Sequence, residues 1–215
     1  MISLLRGLVV SKIDVDQFYG IELEEFPARI AETALWMMDH IMNNELSLAF
    51  EKQYLRIPLK KSPSIRNADA LEIEWSSVLA PEQCDYVFGN PPFGGAKHQQ
   101  DKQRAQVRKV SNLGGSGRTL DYVAAWFIKA GAYVQKGEAQ IAFVSTNSTT
   151  QGEQVAQLWP VLFSRYGLEI FFAHRTFAWG SDAREKAHVH VVILGLVQTV
   201  QHSERARGRI GACSK

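Results

Sequence analysis

The sequence predicts an α/β domain built on a mostly parallel, doubly wound sheet, and three observations lead there. Short apolar runs bounded by turn residues alternate with longer stretches of helical periodicity, the pattern of stacked βα units. At 215 residues the chain is long enough for one such domain with a buried core. Its composition, 46% apolar and 21% charged, is that of an ordinary globule rather than of a disordered or fibrous chain.

The elements follow in order. Gln17 to Leu23 reads as a strand and Pro27 to Met42 as a helix after it: Pro27 suits the first turn, and Ile30, Ala34, Leu35, Met38 and Ile41 form an apolar face expected in the core. Ser62 to Leu71 holds a short strand, and Asp85 to Gly89 is another, ended by Asn90-Pro91-Pro92 because proline cannot continue a ladder. Gly94 to Arg118 is a polar stretch. A helix over Leu120 to Val134 starts at an Asp121 or Thr119 cap, and Ala139 to Ser145 has the character of a buried central strand. Glu153 to Tyr166 is helical, kinked or split at Pro160. The closing strands, Leu168 to Ala173 and Val189 to Val197, are joined by a loop carrying Phe177, Trp179 and Gly180, and with no helix between them they should pair antiparallel. The tail 198–215 loses all periodicity and is expected to be disordered, leaving 1–197 as the folded part.

Several classes are excluded. No apolar run approaches the roughly 20 residues of a membrane helix, and Met1 to Val10 is too short and poorly flanked for a secretory signal, so a cytoplasmic protein away from membranes is expected. Cys84 and Cys213 are far apart and lack the spacing of a zinc site or a disulfide framework, so no metal is expected. The formal net charge of +2 does not identify a nucleic-acid binder by itself, and that argument rests on where the charges fall.

The stretch that carries chemistry is Cys84-Asp85-Tyr86-Val87-Phe88-Gly89-Asn90-Pro91-Pro92-Phe93, an apolar strand delivering Asn-Pro-Pro-aromatic at its carboxyl end, where ligands bind in open α/β sheets. An ordinary proline turn explains the prolines but not the amide before them or the aromatic after. An exocyclic amino group on adenine is a poor nucleophile because its lone pair is delocalised into the ring. Two acceptors, the Asn90 side-chain oxygen and the Pro91 main-chain carbonyl, can draw it towards tetrahedral geometry by each taking one amino hydrogen. Proline fixes φ and holds that carbonyl in place, and Phe93 offers a flat face for a base swung out of the duplex.

Asn90 to Phe93 matches the motif of the N6-adenine DNA methyltransferases, which the chain resembles. Phe18-Tyr19-Gly20-Ile21-Glu22-Leu23-Glu24-Glu25-Phe26-Pro27-Ala28-Arg29-Ile30-Ala31 and Leu120-Asp121-Tyr122-Val123-Ala124-Ala125-Trp126 are similar to the single-chain type II restriction–modification enzymes that join a methyltransferase to a nuclease. The likeness runs from about Asp14 to Leu196 and implies S-adenosylmethionine as cofactor and double-stranded DNA as partner. It places Glu22 where the family has a carboxylate on the cofactor ribose hydroxyls, with a solvated strand-end charge as the alternative. It places Asp69 where the family has an acceptor for the cofactor adenine amino group, with a turn-capping Asp as the alternative. Phe177 stands where the family packs a second aromatic on the flipped adenine, and Trp179 is the other candidate. His188 and His190 alternate along one strand face and are read as structural, since the reaction needs no imidazole.

After the motif come Lys97, Lys102, Arg104, Arg108, Lys109 and Arg118 against the single acid Asp101. Such a run is often just solvated surface, but leaving the motif directly it suits phosphate contact with the target strand. Gly114-Gly115-Ser116-Gly117 gives the stretch hinge-like freedom and lacks the Lys-Ser/Thr ending of a P-loop, which excludes nucleotide hydrolysis. The family's Phe-x-Gly-x-Gly turn has no counterpart before Gln17, and Met1 to Lys12 reads as the end of the helix that would follow it. The resemblance therefore implies a Rossmann-like class I methyltransferase sheet with an antiparallel terminal strand pair, lacking its first strand and glycine-rich turn. Residues 1–197 are then a partial catalytic domain, with the N-terminal and target-recognition segments supplied elsewhere, and Ser203 to Lys215 diverges as if the reading frame had been cut or shifted. The rival readings are a methyltransferase acting on a protein glutamine amide or an RNA base, which share the motif, and an inactive remnant. The basic stretch and the long likeness favour DNA.

Overall fold

Strand pairing falls into three groups in the computed structural model, which describes residues 2–5, 8–11, 13–51, 61–179 and 189–199. The chain forms two units, Met1–Leu79 and Ala80–Lys215. At the start of the first, β1 (Ile2–Leu5) pairs antiparallel with β2 (Leu8–Ser11). The helical ending expected over Met1 to Lys12 is thereby overturned. Both runs are rich in Ile, Leu and Val, and the branched β-formers among them favour extended backbone.

The rest of the first unit is a parallel strand pair and one long helix. A 3₁₀ turn at Val15–Gln17 is capped from both sides, Asp14 Oδ1 accepting the Val15 N–H at 2.8 Å and Gln17 Oε1 accepting the Asp14 N–H at 2.9 Å. It leads into β3 (Tyr19–Glu22), shorter than the strand expected because that turn takes Gln17. The helix α1 (Glu25–Phe50) follows, with Pro27 in its first turn as expected, and ends at Glu51 in the left-handed region, φ 51°. Then comes β4 (Ser64–Asn67), paired parallel to β3 from Tyr19 opposite Ser64 to Glu22 opposite Asn67.

The apolar face of α1 does not lie in a core. Ile30, Met38 and Ile41 are 52%, 52% and 45% exposed and Ala34 is exposed too, whereas Ala28 and Asn43 are buried and Leu35 is half-buried. Residues 28, 35 and 43 also recur at helical spacing, so periodicity offered two stripes and did not decide between them.

The second unit is a sheet of order β5-β6-β8-β7 with helices packed on it. Its first strand, β5 (Tyr86–Gly89), stops at Asn90-Pro91-Pro92 as expected. The polar stretch beyond is not a plain loop, since it holds α2 (Asp101–Ser111). Gln103 Oε1 accepts the Gln100 N–H at 2.9 Å to start that helix, and Gln106, Val107 and Ser111 bury one side of it, a stripe too polar to read from the sequence. Gly114–Thr119 forms a 3₁₀ turn. The helix α3 (Ala124–Tyr133) is shorter than expected, and Val123 rather than Asp121 or Thr119 is its N-cap.

Next comes β6 (Gln140–Thr146), parallel to β5, burying Ile141, Phe143 and Ser145. Phe143 meets Phe127 of α3 edge-on at 5.2 Å and so joins helix to sheet. The helix α4 (Glu153–Pro160) gives way at Pro160 to a π-helical turn, Val161–Arg165, the break that proline implies. The last strands, β7 (Leu168–Trp179) and β8 (Val189–Gln198), pair antiparallel as predicted. β7 is longer than expected because bulges at 170–172 and 174–177 absorb extra residues and let pairing continue to Trp179. β8 buries Val191, Val192, Leu194, Leu196 and Val197, residues from both of its faces, as a strand flanked by β6 and β7 should. Gln198 closes β8, and residues 200–215 lie outside the described residues.

Close backbone approach makes one glycine irreplaceable. A Cβ on Gly137 would stand 2.1 Å from the Pro81 carbonyl oxygen, whereas one on Gly115 would meet nothing within 4 Å. Gly137→Ala should therefore cost at least about 1–3 kcal/mol in urea unfolding, and Gly115→Ala should stay within about 0.5 kcal/mol. Equal midpoints for the two variants would contradict this packing.

Candidate active site

The Asn-Pro-Pro-Phe segment leaves the carboxyl end of β5, where the strand stops. Pro91 is buried and Phe93 half-buried, while Asn90 and Pro92 are exposed. The prolines are thus anchored on one side, and the Asn90 amide makes no hydrogen bond among the described residues. Among the described residues β5 is an edge strand, with Tyr86 and Phe88 67% and 71% exposed. Cys84, just before it, is half-buried, and burial raises the pKa of its thiol.

Beyond Phe93 the chain is pinned by groups from the segment before α3. The Gly94 carbonyl accepts the Tyr122 N–H at 2.8 Å, and Asp121 Oδ1 accepts the Ala96 N–H at 2.9 Å. Gln99 Nε2 donates to the Leu120 carbonyl at 2.8 Å, and the Tyr122 hydroxyl donates to Gln106 Oε1 at 2.7 Å. Asp121 is only 6% exposed, and its other oxygen accepts from the Ser148 hydroxyl. Ser148 lies in the turn Asn147–Thr150 that leaves the carboxyl end of β6. Beside it, Asn147 Oδ1 accepts from the Thr176 hydroxyl at 2.6 Å, which ties the same turn to β7 one residue before Phe177.

Sequence reasoning missed these residues as site components. Asp121 stands where a helix cap is expected, and the polar run Thr146-Asn147-Ser148-Thr149-Thr150 after a buried strand is the signal that points to them.

Phe177 lies within β7 rather than in a loop, because the 174–177 bulge carries the strand past it. It is half-buried and its ring meets His174 at 6.0 Å. Trp179 ends β7, Gly180 and His188 fall outside the described residues, and His190 is exposed.

In the first unit, Glu22 ends β3 and Asp69 follows β4. Glu22 Oε1 accepts the Glu24 N–H at 3.2 Å. Asn67 Nδ2 donates to the carbonyls of Glu22 and Leu23 at 3.1 and 2.8 Å, a latch that holds the strand end and that the sequence did not reveal. Asp69 Oδ1 accepts the Leu71 N–H at 3.1 Å, so this carboxylate does cap a turn. A cavity of about 420 Å³ between the start of α1 and β4 is lined by Glu25, Ala28, Arg29, Ile65, Arg66 and Asn67 and includes neither acid.

The basic residues divide. Lys97 is exposed on the 3₁₀ turn Ala96–His98. On α2, Arg104 and Arg108 stand four residues apart and Lys102 and Lys109 seven apart, which makes two exposed stripes on either side of the buried face rather than one row. Arg104 also lies 4.0 Å from Asp101. Among the described residues no His, Cys, Asp and Glu cluster could hold a metal ion, and no helix is long and apolar enough to cross a membrane.

The second unit is mixed α/β and presents an exposed amide and an aromatic beyond the carboxyl end of a strand, and the chain is similar to known DNA methyltransferases. The profile of the MmeI DNA-methyltransferase domain matches residues 2–207, and the chain belongs to that family. It is 40% identical over 191 residues to DNA methyltransferase A of Bacillus subtilis (strain 168), covering 87% of this chain and 22% of that protein. It is 50% identical to the type IIL restriction–modification enzyme MmeI solved in complex with DNA, with a TM-score of 0.80 over 87% of this chain and 25% of that one. The chain thus spans about a quarter of the length of these relatives.

Proposed function

We propose that the chain carries the target-base site of a restriction–modification enzyme that methylates N6 of adenine in double-stranded DNA, using S-adenosylmethionine in the cytoplasm. The observation that carries this reading is the exposed, unpartnered Asn90 amide at the carboxyl end of β5, with buried Pro91 and half-buried Phe93 after it. The Asn90 oxygen and the Pro91 carbonyl accept the two hydrogens of the target amine and turn its lone pair outward. Phe93 stacks on one face of the extruded base, and Phe177 packs on it as a second aromatic.

The site residues fit the cofactor. Glu22 uses one carboxylate oxygen on the Glu24 N–H, and the second suits a ribose hydroxyl. Asp69 caps its turn through Oδ1, and a carboxylate at this position suits the cofactor adenine amino group as an acceptor. When bound, S-adenosylmethionine supplies an electrophilic methyl group. The strand order β5-β6-β8-β7 supports a Rossmann-like class I sheet, and the outer edge of β5 is where such a sheet takes its first strand. Duplex DNA is the substrate favoured by the cations that follow the motif and by the relative solved with DNA.

In the intact enzyme, Asn90→Ala should abolish methyl transfer while S-adenosylmethionine affinity by calorimetry stays nearly unchanged. Glu22→Ala should weaken the cofactor first. A matching loss of cofactor binding in Asn90→Ala would show that Asn90 does not act on the target amine.

The two stripes of α2 give a second test, because a duplex lying along the helix can engage one more fully than the other. Neutralising the engaged pair, Arg104 with Arg108 or Lys102 with Lys109, should weaken binding to all sequences alike. It should reduce the slope of log affinity against log salt by about 0.9 per lost contact. Slopes unchanged after removing both pairs and Lys97 would return this surface to plain solvation.

A further inference from the structure

We infer that Asp121 is a positioning residue for methyl transfer, holding the motif loop and the Phe177 strand in one register through the turn after β6. The inference rests on the reading of Asn90 to Phe93 as the target-base site. A carboxylate with 6% exposure is costly to bury unless its lone pairs are taken, and here each oxygen has a structural partner. Oδ1 takes the Ala96 N–H, three residues beyond Phe93, and Oδ2 takes the Ser148 hydroxyl. Ser148 has one proton and spends it on Asp121, so its 2.8 Å contact with the Thr146 hydroxyl must run from Thr146 to Ser148. The neighbouring Asn147 takes the Thr176 hydroxyl beside Phe177.

Asp121 therefore ties the loop after Phe93 to the same turn whose Asn147 holds Thr176 beside Phe177. A helix cap would not do this, and Asp121 caps no helix, since α3 begins from Val123. The Asn90 and Pro91 acceptors need placement to a fraction of an ångström, and a shift of about 1 Å at a reacting centre can cost roughly 10²-fold in rate.

The test is a double-variant cycle on the intact enzyme. Asp121→Ala removes the acceptor and Ala96→Pro removes the donor at the first position of a 3₁₀ turn, where Gly95, at ψ 146°, tolerates a following proline. Amide exchange across residues 94–98 is read together with kcat and with KM for S-adenosylmethionine. Each variant should speed exchange in that loop and lower kcat by about 10- to 100-fold with KM within about twofold, and the double variant should be no worse than either. Asp121→Asn keeps an accepting oxygen for Ala96 and should recover most of kcat. Ser148→Ala, which keeps the charge and should fold, is expected to show a weaker form of the same loss.

Multiplying losses in the double variant, or unchanged loop exchange in Asp121→Ala, would overturn the proposal, as would faster exchange with kcat unchanged. If Asp121→Ala does not fold, Ser148→Ala and Ala96→Pro decide by the same criteria. Asn90→Ala in parallel separates the two claims. Full activity there refutes the underlying site, whereas an inactive Asn90→Ala beside a fully active Asp121→Ala refutes only the positioning role.

Discussion

The parallel pairing of β5 with β6 is the constraint on which the site depends. Asn90-Pro91-Pro92 cannot extend the ladder past Gly89, and the pairing sets that end opposite Phe143, so the motif runs out alongside the last residues of β6 and the turn that follows them. β8 then pairs antiparallel with β6 from Ile141 to Thr146 and β7 with β8, so the far end of β7, with Thr176 and Phe177, arrives at the same end of the sheet, on the opposite edge from β5. Residues distant in sequence, Asn90 to Phe93, Asn147, Ser148, Thr176 and Phe177, are thus brought to one end of the sheet because three strand registers agree.

Strand ends alone do not hold loops, and the second layer of the account is polar. The segment Leu120–Tyr122 supplies two backbone groups and one carboxylate to residues 94–99, and the turn Asn147–Thr150 supplies the hydroxyl that completes Asp121. Hydrogen bonds to a charged group contribute about 1.5–3 kcal/mol each, and leaving one partner unpaired in a buried site costs a similar amount. Such a network is either satisfied or disruptive, which makes it suited to fixing one loop geometry.

What was legible in the sequence follows the same division. β5, the break at Pro160 and the antiparallel β7–β8 pair were readable because proline and unbroken apolar runs act locally. The motif was readable because its residue types answer a chemical need. Less readable was α2, whose buried stripe of Gln106, Val107 and Ser111 is largely polar, and the outward turn of Ile30, Met38 and Ile41, since periodicity gives a face but not its direction. The hairpin over Ile2–Ser11 departs from the helical ending that the family resemblance implies, because the residues' own preference is extended. At Asp121 a local rule, capping, gives way to partners 25 and 27 residues away. Long-range hydrogen bonds leave no periodic trace.

The central claim is that Asn90 and its neighbours present an adenine amine for methylation. It is tested most directly by letting the intact enzyme act on duplex DNA with radiolabelled S-adenosylmethionine and resolving the products as nucleosides. The account predicts label in N6-methyldeoxyadenosine, absent when Asn90 is replaced by alanine. Label in a methylated cytosine, in RNA or in a protein glutamine would contradict it.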